Sequence, residues 1–273
     1  MATFRDKTWM FGVRPHQDDI YLGKRDEDRF TKWSRITPAE GATMLGVPNM
    51  LMINCDGIPV PFSHDAYGYM ESFRRMKNVL WSSTGSAGMR IGNEERFIAE
   101  LAAKYPNLTG AFMDDFFGAF CSLPEPERSQ KALALLQEIR RGLDTAPRPM
   151  ELWVVSYTQQ LALFHPDVYE PLTGVTLWTW NCDELPLLEE RFEALERILP
   201  GKKKMLGVYM YDFPSGRPVP LELMEHQCEL ARRLVHEGRI DGVIFEANSV
   251  MGVGLPSERW LCDWLDRVGD EEL

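Results

Sequence analysis

Eight short apolar segments recur along the chain, and their spacing limits the folds open to it. They are TWMFGV (8–13), NMLMIN (49–54), NVLWSS (78–83), TGAFMDD (109–115), MELWVVSY (150–157), GVTLWTWN (174–181), KMLGVYMYD (204–212) and DGVIFEAN (241–248). Their starts lie 41, 29, 31, 41, 24, 30 and 37 residues apart. Each interval has room for a strand, a loop, a helix and a second loop. The segments are apolar almost throughout, as strands of a parallel sheet covered on both faces must be. Most of the intervening stretches repeat with helical period. Phe97, Ile98, Leu101, Ala102 and Tyr105 form one stripe; Leu187, Leu188, Phe192, Leu195, Ile198 and Leu199 form another. Residues 127–143, 221–235 and 257–268 read the same way, with Ser257 as the expected cap of the last. Residues 17–36 read as a long charged loop, followed by a helix from Thr37 to Leu45 with Pro38 in its first turn.

Eight strand–helix units predict an α/β fold, a single (β/α)₈ TIM barrel in one domain spanning residues 1–273. An open doubly wound sheet is the alternative, weakened because no G-x-G-x-x-G follows the first segment.

Composition narrows the partners. A net charge of -11 repels phosphate backbones and argues against nucleic acid. No run of eighteen apolar residues predicts a membrane span, and the first fifteen residues lack the apolar stretch of a signal peptide. Five widely spaced cysteines without a CxxC pair fit reduced thiols in a cytoplasmic protein. Oligomeric state is left open.

Polar residues gather just past the carboxyl end of each segment. The first contributes Arg14, His16 and Asp18, the second Asp56, the fourth Asp114 and Asp115, and the fifth Tyr157. The sixth contributes Trp180, Asn181 and Asp183, the seventh Tyr211 and Asp212, and the eighth Glu246 and Asn248. The opposite ends offer little (Thr8, Asn49, Asn78, Thr109, Lys204, Asp241). In a barrel the carboxyl ends are where enzymes place their chemistry.

Four carboxylates are the candidate catalytic groups: Asp114, Asp115, Asp212 and Glu246. If Asp114 and Asp115 continue the strand, at most one of them points into the barrel. Glu246, set in GVIFEA, is a candidate general acid; an ion pair with Arg14 is the alternative. Asp212 is either a further carboxylate of the site or the cap of a turn before Pro214. Trp178 and Trp180 share a strand face; core packing suits Trp178, and ligand contact suits Trp180. His16 near Asp18 leaves a divalent cation possible, but HxH and HExxH are absent, so no metal or other cofactor is expected.

GAFMDDFF, WTWNCDE, YMYDF and FEAN together resemble (β/α)₈-barrel glycoside hydrolases at the superfamily level. The resemblance implies hydrolysis of a glycosidic bond in a small carbohydrate by two carboxylates. One comes from Asp114 or Asp115; Asp183, Asp212 and Glu246 compete for the second role. Arg14, His16, Asp18, Asp56, Tyr157, Trp180, Asn181, Asp183, Tyr211 and Asn248 are the expected substrate-binding set. A sugar isomerase, epimerase or lyase, with or without a metal, and a non-catalytic sugar-binding barrel are the alternatives.

Overall fold

The computed structural model describes residues 1–23 and 33–273. Eight parallel strands form the sheet: β1 (Thr8–Gly12), β2 (Asn49–Met52), β3 (Asn78–Thr84), β4 (Leu108–Met113), β5 (Glu151–Tyr157), β6 (Gly174–Trp178), β7 (Lys203–Tyr209) and β8 (Gly242–Glu246). They hydrogen-bond in the order β1-β8-β7-β6-β5-β4-β3-β2 and close into a barrel. Each expected segment carries a strand. The fold is the (β/α)₈ barrel read from the spacing.

The helices are α1 (Asp19–Leu22), α2 (Pro38–Leu45), α3 (His64–Ser72), α4 (Glu94–Lys104), α5 (Glu127–Leu143), α6 (Leu188–Ile198), α7 (Leu221–His236) and α8 (Pro256–Val268). α2 begins where its signals place it. Thr37 and Glu40 form a capping box, Pro38 occupies the first turn, and Gly46 ends the helix at φ 65°. α3 was not legible, because HDAYGYMES carries too few apolar residues for a stripe. Ser63 starts it by accepting the Ala66 N–H at 3.1 Å. Between β5 and β6 the chain forms only 3₁₀ turns, at Thr158–Gln160 and Pro166–Tyr169. α8 starts at Pro256, not at a Ser257 cap: Ser257 is buried and donates to the Met210 carbonyl at 2.6 Å. The long charged loop is broken by the single turn α1, and residues 24–32 lie outside the described residues. Among the described residues no helix is long and apolar enough to cross a membrane.

The chain divides into two compact units. One comprises Met1–Met50, Trp178–Glu190 and Lys204–Leu273; the other comprises Leu51–Leu177 and Arg191–Lys203. In the first, β8 pairs with β1 (Phe11↔Glu246) and with β7 (Glu246↔Tyr209), so Glu246 ends its strand between two partners. Trp178, 1% exposed, belongs to the core as expected. It lies over Gly207, where an added Cβ would approach its ring to 2.0 Å. Phe11 and Tyr209 meet the same indole edge-on at 5.6 and 5.1 Å.

The second unit repeats this device. Gly174 faces Trp153, and an added Cβ would come to 2.4 Å of the indole. Trp153 is fully buried, and its N–H donates to Glu151 at 2.8 Å. In both units a strand glycine makes room for an indole. β3, β4 and β5 pair in parallel, with Met113 opposite Val154 at the carboxyl end.

Candidate active site

The carboxyl ends of the strands carry the expected polar groups, and the two units use them differently.

In the second unit β4 stops at Met113, so Asp114 and Asp115 fall in the turn beyond it. The alternation expected of neighbouring strand residues therefore does not apply. Asp115 takes a left-handed conformation (φ 48°). Its Oδ1 accepts the Tyr157 hydroxyl at 2.8 Å, and its Oδ2 accepts the Ala87 N–H at 2.9 Å. Tyr157 is thus tied to a carboxylate. Asp114 is buried, with its backbone knitted to Thr84: its N–H donates to the Thr84 carbonyl and its carbonyl accepts the Thr84 hydroxyl, both at 3.0 Å. Asp56 is exposed at φ 51°, and its N–H donates to Ser86 Oγ at 3.2 Å.

In the first unit the segment expected to run to Asp212 as strand ends instead at Tyr209. Tyr211 and Asp212 turn back and pair antiparallel with Arg217 and Pro218. This hairpin, with Cys182 from the turn after β6, gathers two hydrogen-bond donors and a guanidinium around one carboxylate. The Ser215 hydroxyl donates to Asp212 Oδ2. The Cys182 thiol donates to the same oxygen at 3.4 Å. Arg217 Nε lies 3.8 Å from it. Asp212 is 2% exposed, and its Oδ1 is buried with no hydrogen-bond partner. Burial and then the Asp212 carboxylate push the Cys182 thiol up to about 11, so it is a neutral donor at physiological pH. Arg217 is held above its ordinary value by its contact with Cys182 and by Asp183 and Asp212.

Asp212 closes the turn that holds Pro214: its backbone carbonyl accepts the Gly216 N–H at 2.8 Å, while its side chain forms a buried polar centre.

Beside it, Phe213 gathers aromatic rings. Trp180 stacks on it at 5.8 Å with planes 6° apart. Tyr209, Tyr211 and Tyr21 meet it edge-on at 5.9, 5.4 and 5.2 Å. Trp180 is 41% exposed. Asn181 and Asp183 follow it, both exposed; Asn181 caps the next turn by accepting the Asp183 N–H at 3.0 Å, and Asp183 pairs with Arg217 at 3.2 Å.

Other expected residues hold loops together. Asn248 is fully buried: its amide donates to the carbonyls of Val13 (2.9 Å) and Ile36 (2.7 Å), and its oxygen accepts the Val13 N–H at 2.8 Å. The Tyr211 hydroxyl donates to the Tyr21 carbonyl at 3.0 Å. Asp18 accepts the Ser249 hydroxyl, Arg14 Nε donates to Gln17 at 2.6 Å, and His16 Nδ1 lies 2.9 Å from Asp19. Among the described residues no three His, Cys, Asp or Glu side chains converge as metal ligands do.

Sequence reading missed Cys182, Ser215, Phe213 and Arg217. Cys182 carried one signal, its place inside WNCDE. Arg217 carried another, as the one basic residue of YDFPSGR.

No family model matches the chain, and no curated protein matches it. Solved structures do match in fold. The glycoside hydrolase domain of PgaB (BpsB) from Bordetella bronchiseptica aligns with TM-score 0.57 and 11% identity, covering 98% of this chain and 99% of that one. The GH99 endo-alpha-mannosidase from Bacteroides thetaiotaomicron gives TM-score 0.54 and 10% identity, covering 96% and 97%. Active domain 2 of a chitinase from Pyrococcus furiosus gives 0.53 and 12%, covering 98% and 97%. The chain shares the (β/α)₈ barrel fold of these proteins. At these identities the likeness establishes the fold alone, because one barrel serves many chemistries.

Proposed function

We propose that the protein hydrolyses a glycosidic bond in a small carbohydrate, using carboxylates at the carboxyl ends of its strands. The observation that carries this reading is Asp212: a buried carboxylate with two hydrogen-bond donors and the Arg217 guanidinium gathered at one oxygen, and the other oxygen without a hydrogen-bond partner. A buried charge is costly unless it is compensated, and one left half-satisfied suits a group that acts on a ligand. The hydrolases that share its fold support the same reading, as does the aromatic platform beside Asp212.

In glycoside hydrolysis one carboxyl group protonates the leaving oxygen. The other attacks the anomeric carbon or activates water. Within the first unit, Asp212 follows β7 and Glu246 ends β8, and these two strands are paired. Asp212 takes the part of nucleophile or base; Glu246 takes that of acid. In the second unit Asp114 and Asp115 are the candidate carboxylates, with Asp115 oriented by Tyr157 and Ala87. Trp180, Asn181 and Asp183 supply sugar contacts; Arg14, His16, Asp18, Tyr211 and Asn248 shape loops of the first unit, and Asp56 a loop of the second. No metal is required by this scheme. The five free cysteines fit a reducing compartment, and we assign the protein to the cytoplasm.

The test is release of sugar from a panel of uncharged 4-nitrophenyl glycosides and disaccharides. Wild type should hydrolyse at least one, with Asp212→Asn and Glu246→Gln each strongly impaired and still folded. Full activity in both variants would remove these residues from the chemistry. Complete loss in Asp114→Asn, with Asp212→Asn active, would move the chemistry to the second unit.

A further inference from the structure

Apart from Met1, the most exposed large apolar side chains among the described residues stand in the loop after β1: Ile20 at 72% and Trp33 at 68%. The Trp33 indole meets no other ring, and its N–H makes no hydrogen bond. An open indole leaves a large apolar surface in water, and exposed apolar surface of that kind marks a place where something binds.

The segment that carries this ring is fixed. Ser34, the next residue, is fully buried, and its hydroxyl is held between the carbonyls of Met251 at 2.8 Å and Asn248 at 3.1 Å. The Ile36 carbonyl accepts the Asn248 amide at 2.7 Å. These bonds tie the segment to the loop after β8, which starts directly beyond Glu246.

A polar ring is fixed to the same segment. Asp19 Oδ1 accepts the Ser34 N–H at 3.2 Å, and Asp19 Oδ2 lies 2.9 Å from His16 Nδ1. One carboxylate therefore holds both the imidazole and the residue next to Trp33. The His16 side chain is 47% exposed, and its Nε2 makes no hydrogen bond. With Nδ1 donating to Asp19, a neutral imidazole offers Nε2 as an acceptor; a protonated one offers it as a donor.

A sugar ring presents an apolar C–H face and a hydroxyl edge. Trp33 matches the face and His16 Nε2 matches a hydroxyl. A protein partner fits less well: one aromatic ring covers about 150–250 Å², far below the ~800 Å² that each partner gives to a stable protein interface.

We propose that Trp33 and His16, the latter positioned by Asp19, form an outer subsite for one ring of an oligosaccharide whose cleaved bond lies at Asp212 and Glu246. The substrate is then an oligosaccharide chain, not a single sugar with a small leaving group. This rests on the proposed function for where the rest of the chain lies, but it concerns binding and is read without turnover.

Isothermal titration calorimetry of the full chain tests it. The probes are the dimer and tetramer of three series: cello-, malto- and N-acetylchito-oligosaccharides. In at least one series the tetramer should bind wild type at least tenfold more tightly than the dimer. Trp33→Ala should weaken that tetramer about tenfold, the expected cost of losing an aromatic stacking surface, and the dimer less than twofold. Trp33→Phe, which keeps a flat ring, should retain most of the length preference, and His16→Ala should cost the tetramer severalfold. Because the indole is exposed, Trp33→Ala should unfold at the same urea concentration as wild type. A folded Trp33→Ala with unchanged tetramer affinity, a loss of stability in place of a loss of affinity, or no heat from any probe would each overturn the subsite. Hydrolysis of 4-nitrophenyl glycosides with no such length preference would remove the subsite alone. Length-dependent binding that needs Trp33, without any hydrolysis, would sink the proposed function and leave the subsite standing.

Discussion

Asp115 and Asp212 are both aspartates just beyond a strand of the same barrel, yet their surroundings differ. Asp115 has both oxygens held, one by the Tyr157 hydroxyl and one by the Ala87 N–H. It is half-buried, in a left-handed turn. Asp212 is almost wholly buried, with its donors crowded onto one oxygen and the other oxygen unmatched. The first arrangement holds a loop in place. The second crowds its partners onto one oxygen and leaves the other buried without a hydrogen-bond partner. Under the proposed function it is the distribution of hydrogen bonds over the two oxygens, and not their number, that distinguishes Asp212 from Asp115.

The largest effect should come from Asp212→Asn. It removes the charge and keeps the shape, and turnover of any glycoside the protein hydrolyses should fall about 10²–10⁴-fold, the usual range for a positioned acid or base. Asp115→Asn should lower turnover far less. Equal losses, measured as kcat on one substrate, would erase the contrast.

Next come the strand glycines, which both units use alike. Gly207→Ala forces a Cβ to 2.0 Å from the Trp178 ring, and Gly174→Ala forces one to 2.4 Å from Trp153. Each should cost about 3 kcal/mol by urea denaturation, at the upper end of overpacking effects. Gly201→Ala, with open space around its Cβ, should stay within about 0.5 kcal/mol of wild type. A fully stable Gly207→Ala would mean that Trp178 moves freely.

Tyr157→Phe takes one donor from Asp115 and should lower stability by about 1.5 kcal/mol, as loss of a bond to a charged group does. A large drop in kcat without loss of stability would instead make Tyr157–Asp115 part of the chemistry.

The smallest effect is a shift in pH. The Cys182 thiol, raised to about 11 by burial and by Asp212, should react with iodoacetamide slowly until the pH nears that value. Removing the negative neighbour in Asp212→Asn favours the thiolate, so the labelling curve, followed at Cys182 by mass spectrometry, should move to lower pH. An unmoved curve would show that Asp212 carries no charge beside the thiol.

The barrel was legible because parallel strands covered on both faces are apolar throughout, so all eight stood out from the helical stretches. What escaped was local. HDAYGYMES forms α3 on a Ser63 cap without an apolar stripe, and the run after β5, interrupted by Pro166 and Pro171, folds as turns. The site was legible as a set of candidates and not as a constellation. Asp212 was visible in YMYD, but its partners come from a turn thirty residues earlier, at Cys182, and from a hairpin that its own chain makes beyond Tyr209. Asp115 could not be read as left-handed, because strand alternation gives no warning of where the strand stops. Asn248, Tyr211 and Asp18 carry the polar groups a site would need, and they use them on backbone and loop partners that adjacency in sequence does not reveal.

The most direct measurement is a crystal structure of Asp212→Asn with an uncharged disaccharide bound. The expected result is a sugar at the carboxyl ends of the first unit's strands, with a hydroxyl or the glycosidic oxygen within about 3.2 Å of the residue-212 side chain. A disaccharide bound elsewhere, with the residue-212 side chain contacting protein alone, would contradict it.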